Sequence, residues 1–222
     1  MPENGLAGRT VLIAGATSTA GVAAARTLIA AGARVIATGR DAARLEPLAA
    51  LGAEPEVCDV TDERQVAELA DRLHARGIRV DGILPLVGGW RGGGGLAGQT
   101  DADYRALEAS LTALRHVSRA FDADLRASDA GRLAIVSSVS VARPLAGGAN
   151  YAAVKAGAEA WTRAVAQGFA KSARDAGTPL HAAAAIFRVQ GLAGLEPQLA
   201  AAFAGLWQQD AAELNDTVVE LA

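Results

Sequence analysis

The stretch Thr10-Val-Leu-Ile-Ala14-Gly15-Ala-Thr17-Ser18-Thr19-Ala-Gly21 decides how the rest of the chain is read. Its first five residues form a short apolar run, and a run without polar alternation suits a strand covered on both faces. Gly15 ends that run. From Gly21 to about residue 31 the chain is alanine-rich and helical in character, and Gly32 stops it. Strand, glycine turn and helix, in that order, open a β-α-β unit.

The same alternation continues outward. Residues 34–38 read as a second strand ending at Gly39, and 41–51 as a helix between an N-cap type, Asp41, and Gly52. Residues 56–59 form a third strand. Thr61-Asp-Glu-Arg64 opens a helix closed by Gly77, and 80–87 form a fourth strand. A glycine-dense loop, 88–98, follows, broken by Trp90 and Arg91. Two long helices, 101–128 and 148–176, flank a fifth strand at 131–138. A sixth strand at 180–187, a shorter helix near 197–208 and a last strand at 216–221 complete the chain. No linker or repeat divides it. The expectation is one α/β domain, residues 1–222: a doubly wound, mostly parallel, Rossmann-type sheet with helices on both faces. Ligands of such sheets bind beyond the carboxyl ends of the strands, where strand order reverses. Chemistry is therefore expected after strands one, two, four and five.

Composition narrows the classes. Of 222 residues 51% are hydrophobic, so a large core is available, and a net charge of -3 offers no basic stripe to nucleic acid. The single cysteine, Cys58, excludes an internal disulfide and fits a reducing compartment; its apolar setting suggests a buried, inert thiol. Residues 1–9 lack an apolar signal core, and no run approaches the ~20 apolar residues of a bilayer span. A cytoplasmic protein without membrane or nucleic-acid partners is expected.

The loop after strand one has the properties of a phosphate cradle. Glycine lets backbone approach a pyrophosphate, and the helix that follows presents free N–H groups and a positive dipole end. Gly15 and Gly21 bracket the turn, and the hydroxyls of Thr17, Ser18 and Thr19 could add donors. An ordinary strand-to-helix turn would look similar, so strand two is informative. There Thr38-Gly39-Arg40 lacks the acidic residue that would hold a ribose 2′-hydroxyl and supplies a guanidinium suited to a 2′-phosphate. NADP(H) is expected in preference to NAD(H).

Tyr151-Ala-Ala-Val-Lys155 opens the second long helix, and a spacing of four puts both side chains on one face. A neighbouring ammonium favours the phenolate and lowers a phenol pKa normally near ~10, so that the phenol can exchange a proton with an alcohol oxygen. Ser138, at the end of strand five, can hydrogen-bond the same oxygen, with Ser140 close by on the substrate side.

With these residues in place the whole chain resembles the short-chain dehydrogenase/reductase family. The likeness rests on the Ala14-Gly15-xxx-Thr19-x-Gly21 loop, Asp59-Val60 after strand three, Ser138 and Tyr151-xxx-Lys155. It implies that Tyr151 is the general acid/base, that Lys155 contacts the nicotinamide ribose and lowers the tyrosine pKa, and that Ser138 orients a substrate carbonyl. It implies adenine contacts at Asp59-Val60, and a homodimer or homotetramer through the two long helices. Departures accompany it. Thr19 replaces a glycine; Pro85-Leu86-Val87-Gly88 keeps only the last glycine of the family's motif after strand four. Ser110 stands where the family has a relay asparagine, and Phe187-Arg188 where it has Pro-Gly. Segments 87–93 and 182–186 look like the corresponding parts of dihydropteridine reductase, a divergent member.

The remaining candidates are weaker. His74, His116 and His181 are scattered without ligand spacing or a paired carboxylate, so no metal site is expected. Trp161 and Phe169 read as core or interface. Trp90 stands in the glycine loop as a substrate-lining candidate, and Gly92–Gly95 would make that loop a mobile lid. Arg188, placed after strand six near the expected nicotinamide and cofactor phosphates, is a candidate contact to either, with solvent as the plain alternative. The leading reading is an NADP(H)-dependent oxidoreductase acting on a small carbonyl, alcohol or related compound, with Ser138, Tyr151, Lys155 and Ser110 as its catalytic set. A degenerate NADP(H)-binding sensor or scaffold is the alternative, and a structural subunit of an active homologue a third.

Overall fold

The computed structural model describes residues 5–222; part of the leader reading falls on residues 1–4, outside the described residues. Seven strands, β1 (Thr10–Ala14), β2 (Arg34–Gly39), β3 (Glu54–Val57), β4 (Gly82–Pro85), β5 (Arg132–Ser138), β6 (Ala183–Val189) and β7 (Thr217–Leu221), form one sheet. Their order is β3-β2-β1-β4-β5-β6-β7, and every pairing is parallel. The connecting helices are α1 (Thr19–Ala30), α2 (Ala42–Ala50), α3 (Glu63–Ala75), α4 (Asp101–Ala120), α5 (Asp122–Ala127), α6 (Ala149–Ala176), α7 (Glu196–Ala204) and α8 (Ala211–Leu214).

β1 shows why the apolar run had to be a central strand. Val11 and Ile13 belong to the cluster built with α1, α2 and α7, whereas Leu12 and Ala14 belong to the one built with α3, α4 and α6. All four are fully buried. At ~1.5–3 kcal/mol for each large apolar side chain removed from water, such a strand has no face free for a charge. Strand order reverses between β1 and β4, so the turn after β1 opens into the crevice there. β4 pairs with β5 at only two register positions, Gly82↔Arg132 and Ile83↔Leu133, whereas β5 and β6 pair at seven. Beyond Ile83 the neighbours diverge.

The opposite end of β5 is pinned. The buried Arg132 guanidinium donates to the carbonyls of Gly131, His181, Leu206 and Gln209 at 2.8–3.0 Å. Four peptide dipoles take the place of water around the cation, and they tie the foot of the strand to the C-terminal segment.

Some boundaries differ from the sequence reading. Residues 101–128 are not one helix: Phe121, at φ -111° and ψ 13°, separates α4 from α5. The break buries Phe121 completely and turns Asp124 inward, where it accepts from the Val80 amide and faces His74 Nε2, both at 3.0 Å. His74 therefore does have a paired carboxylate, at the edge of the sheet's foot. The third strand runs 54–57, and Cys58 follows it, buried, with its thiol pushed up to about 11 by desolvation. The sixth strand begins and ends later than 180–187, because all seven residues of β5 find partners in 183–189. Phe187 and Arg188 thus lie within β6 rather than after it.

Candidate active site

The turn after β1 is shaped by what glycine permits. Gly15 adopts φ +83°, and a Cβ there would come within 2.9 Å of Val87 Cγ2. A Cβ on Gly21 would sit 2.2 Å from the Ala16 carbonyl oxygen, so the loop can fold onto α1 only with glycine there. Ser18 caps α1, its hydroxyl accepting from the Gly21 amide at 3.1 Å. The amides of Thr19 and Ala20 are left at the open helix end, where the dipole favours an anion.

A cleft of about 820 Å³ starts at this helix end and runs along the split between β4 and β5. Of the expected site residues it brings together Ser18, Thr19, Gly88, Trp90, Ser110, Ser138, Ser140, Tyr151 and Lys155. Gly15, Thr17, Gly21, Arg40, Asp59 and Val60 do not line it; they stand at the same edge of the sheet, in or beside the turns after β1, β2 and β3. Arg40 is exposed immediately after β2. Asp59 is turned to its own loop, its Oδ1 accepting from the Thr61 amide (3.0 Å) and hydroxyl (2.7 Å). The Val60 carbonyl faces His116 Nδ1 at 3.3 Å.

At the cleft base, Ser138 ends β5 and Tyr151 lies in the first turn of α6; both line the cleft, and the Ser138 hydroxyl is near enough to act on the phenol. Ser140, in a 3-10 turn just beyond, donates to Ser138 Oγ from its hydroxyl at 2.9 Å and from its amide at 3.2 Å. The Lys155 ammonium lies 5.7 Å from the Tyr151 ring centroid and donates to the Val136 carbonyl at 2.7 Å. Desolvation lowers its pKa to about 8. The tyrosine departs from expectation: burial raises its pKa, the Ser138 hydroxyl opposes this, and Lys155 does not supply the lowering. The ammonium here is aimed at Val136 rather than at the phenol oxygen. Ser110 donates to the Leu107 carbonyl at 2.8 Å, which commits its proton to its own helix.

Arg188 is corrected outright. Its guanidinium makes two hydrogen bonds to Glu159 of α6, at 2.8 and 2.6 Å, away from the cleft. Glu159 is buried and also accepts from Ser137 at 2.7 Å. The residues that line the cleft at and beyond the end of β6 are instead Val189 to Ala193, followed by Glu196. The glycine loop is not a free lid either. The Gly93 amide donates to the Gly147 carbonyl at 2.7 Å, and Gln99 Nε2 bridges the carbonyls of Gly93 (3.1 Å) and Gly147 (3.0 Å). Gln99 Oε1 accepts from the Asn150 amide, one residue before Tyr151. Sequence reasoning missed Gln99, Leu145, Glu196 and Arg44, whose Nη2 reaches the Thr17 carbonyl at 3.4 Å. Only Arg44 had a usable signal, as a second guanidinium close behind Arg40.

The family model for short chain dehydrogenase matches residues 9–173, and the chain belongs to that family. It is an oxidoreductase of this class. A protein of Streptomyces sp. strain C5, provisionally named daunorubicin C-13 ketoreductase, is 44% identical over 95 residues; these are 40% of this chain and only a third, 33%, of that relative. The 3-oxoacyl-[acyl-carrier-protein] reductase of Salmonella typhimurium is 27% identical over 163 residues, 72% of this chain and 67% of the relative. Among solved structures, a gluconate 5-dehydrogenase from Burkholderia cenocepacia, in complex with NADP and tartrate, superposes with a TM-score of 0.81 at 21% identity. It covers 99% of this chain and 96% of that one, a likeness of fold. The family's nicotinamide dinucleotide fits the residues present: the Gly15–Gly21 cradle that side chains would fill, the open end of α1, and the cleft leading on to Lys155 and Tyr151. Among the described residues no helix is long and apolar enough to cross a membrane, and no group of three or more His, Cys, Asp or Glu could hold a metal ion.

Proposed function

We propose that this protein interconverts a ketone and an alcohol with NADP(H) as hydride partner, and that Tyr151 transfers the proton. The observation that carries the reading is that Ser138, Tyr151 and Lys155 line the base of one cleft, with the Lys155 ammonium 5.7 Å from the phenol ring centroid. A carbonyl oxygen placed between the two hydroxyls would accept from both, and the phenol would give up its proton as negative charge develops on that oxygen. The dinucleotide, when bound, supplies the hydride. Lys155, freed from Val136, would hold the ribose and favour the phenolate. Ser18, Thr19 and the α1 amides would take the pyrophosphate, and Asp59 and Val60 would flank the adenine. Gly88 would leave room beside the nicotinamide ribose, with Ser110 below it.

The preference for NADP(H) rests on Arg40, in the turn after β2, and Arg44, at the start of α2, two guanidinium groups with no carboxylate partner among the described residues. Fork-shaped donors of this kind suit a 2′-phosphate. Self-association as a homodimer or homotetramer belongs to the same proposal, through the outer faces of α4, α5 and α6, where Arg119, Asp122, Arg126 and Trp161 border a shallow groove. A cytoplasmic setting fits the free Cys58. The test is NADPH oxidation with a panel of ketones, followed by Tyr151→Phe. Turnover should fall by ~10²–10⁴-fold with NADPH affinity unchanged. Tight NADPH binding with no ketone turned over would instead favour the non-catalytic sensor.

A further inference from the structure

The mouth of the cleft is more apolar than carbonyl chemistry requires. Trp90 is 67% exposed and Leu145 78% exposed, and both line the cleft. Leu96, 70% exposed, and Val139, 38%, lie on the same two segments, the glycine loop and the stretch after β5. Of seven large hydrophobic residues exposed among the described residues, these segments carry four, a concentration that water alone would penalise. Nor is it the by-product of a loose loop. The Gly93–Gly147 backbone bond and the Gln99 bridge hold the two segments against each other, so Trp90 and Leu145 are presented on a fixed frame.

Charge inside the same cleft is sparse. Apart from Lys155, the only formally charged side chain among the described residues lining the cleft is Glu196, and no arginine lines it. Glu196 accepts from the Gly194 amide at 2.8 Å, and no basic side chain among the described residues pairs with it. A carboxylate or phosphate on a substrate inside the cleft would meet this carboxylate, while the arginines of the two mouth segments, Arg91 and Arg143, are exposed outside the lining, Arg91 lying 3.8 Å from Asp103. The cleft of about 820 Å³ is shared with the dinucleotide at its Ser18, Thr19 and Gly88 end, and the part left to the substrate is the mouth beneath Trp90 and Leu145.

We infer that the substrate is a bulky, ring-bearing apolar ketone without an anionic group, its rings seated between Trp90 and Leu145 and its carbonyl reaching down to Ser138 and Tyr151. This rests on the carbonyl-reductase reading above and narrows it. A cationic substituent is accommodated beside Glu196, and an anionic one is rejected there.

The experiment uses four ketones and the whole protein with NADPH: 2-acetylnaphthalene, its 6-carboxylate and 6-aminomethyl derivatives, and butanone. The neutral and aminomethyl naphthyl ketones should exceed both the carboxylate and butanone in kcat/KM by tenfold or more. Trp90→Ala should raise KM for the naphthyl ketones several-fold, and by clearly more than it raises KM for butanone. Glu196→Gln should recover several-fold in kcat/KM for the carboxylate alone. A carboxylate or butanone turned over as well as 2-acetylnaphthalene, or a Trp90→Ala variant indifferent to ring size, overturns the inference while leaving the carbonyl-reductase reading intact. If no ketone turns over, that reading fails. Titrating quenching of Trp90 fluorescence by the same naphthyl compounds, with Trp90→Ala as blank, then decides whether the mouth still binds apolar rings and excludes the anion.

Discussion

Ser140 donates two hydrogen bonds to one atom, Ser138 Oγ, from its hydroxyl at 2.9 Å and its amide at 3.2 Å. With both acceptor positions of that oxygen filled, the Ser138 proton is left free to be donated into the cleft, which Tyr151 also lines. Ser140→Ala removes one of the two donors and lets the Ser138 hydroxyl rotate. It should lower kcat by roughly three- to tenfold, in line with the ~1 kcal/mol worth of a single hydrogen bond. KM should change little. Ser138→Ala, which removes the donor itself, should cost more than Ser140→Ala, and the double variant should cost no more than Ser138→Ala alone. Steady-state kinetics on the three variants checks this.

Lys155 holds a partly buried ammonium with a carbonyl for company. Its folded pKa of about 8 lies below the ~10.4 of an unfolded lysine. Between those values the unfolded chain binds more protons, so this group makes stability rise with pH there, and below pH 8 it is a constant burden. Lys155→Met should therefore melt higher than the parent at pH 7, by ~1 kcal/mol or about 2–4 °C, with the gain fading toward pH 10. Activity should be lost by a hundredfold or more. Thermal melts across pH 6–10 and rate measurements read the two effects separately.

Arg40 and Arg44 are expected to read the 2′-phosphate together. Replacing both with alanine should weaken NADPH by roughly 10–100-fold, as for the loss of charge-assisted bonds of ~1.5–3 kcal/mol, and leave NADH affinity nearly unchanged. The parent's NADPH affinity should fall with added salt more steeply than the variant's. Titration of both cofactors at two salt concentrations decides it.

Glu159 carries a buried network at the back of the site. Burial pushes its pKa up, but hydrogen bonds from Arg188, Ser137 and Arg163 outweigh this and hold the carboxyl below the usual carboxylate range. Its stabilisation is therefore present above the unfolded value of ~4.3 and is lost as pH falls through the lower folded value. Arg188→Ala leaves Glu159 with only the more exposed Arg163 as cation and should destabilise by about 2–4 kcal/mol at pH 7. That difference should shrink below pH 4. Denaturant titration at pH 7 and pH 4 follows it.

Gln99 joins the glycine loop, the segment at Gly147 and the first turn of α6. Gln99→Ala removes all three links, and the loop should loosen, with proteolysis or amide exchange rising between residues 89 and 98. KM for a ring-bearing ketone should rise several-fold while the NADPH Kd holds steady.

The strand-turn-helix at Thr10–Gly21, the Tyr151–Lys155 pair and Ser138 could all be read from sequence because each depends on local spacing. The sixth strand slipped because Ala182 to Ile186 is uniformly apolar and gives no phase; register with β5 sets its ends. Arg188 was misplaced for the same reason, since its partner Glu159 lies 29 residues away. Gln99 and Gly147 are 48 apart, and no periodicity links them. The break at Phe121 was equally hidden, because the helical spacing continues through it while burial and the Asp124–Val80 bond interrupt it.

The sheet is joined across β4 and β5 by two register positions only, and the cleft opens where that ladder ends. One half of the molecule carries the pyrophosphate turn and the other carries Ser138 and Tyr151, so an occupant of the cleft acts as a rivet across a seam. Loading the cleft should stiffen the joint between the halves more than it stiffens either half alone, and the slowing of amide exchange should be greatest along β4 and β5. In mechanical terms, the enzyme is at its most pliable along the line where it must grip.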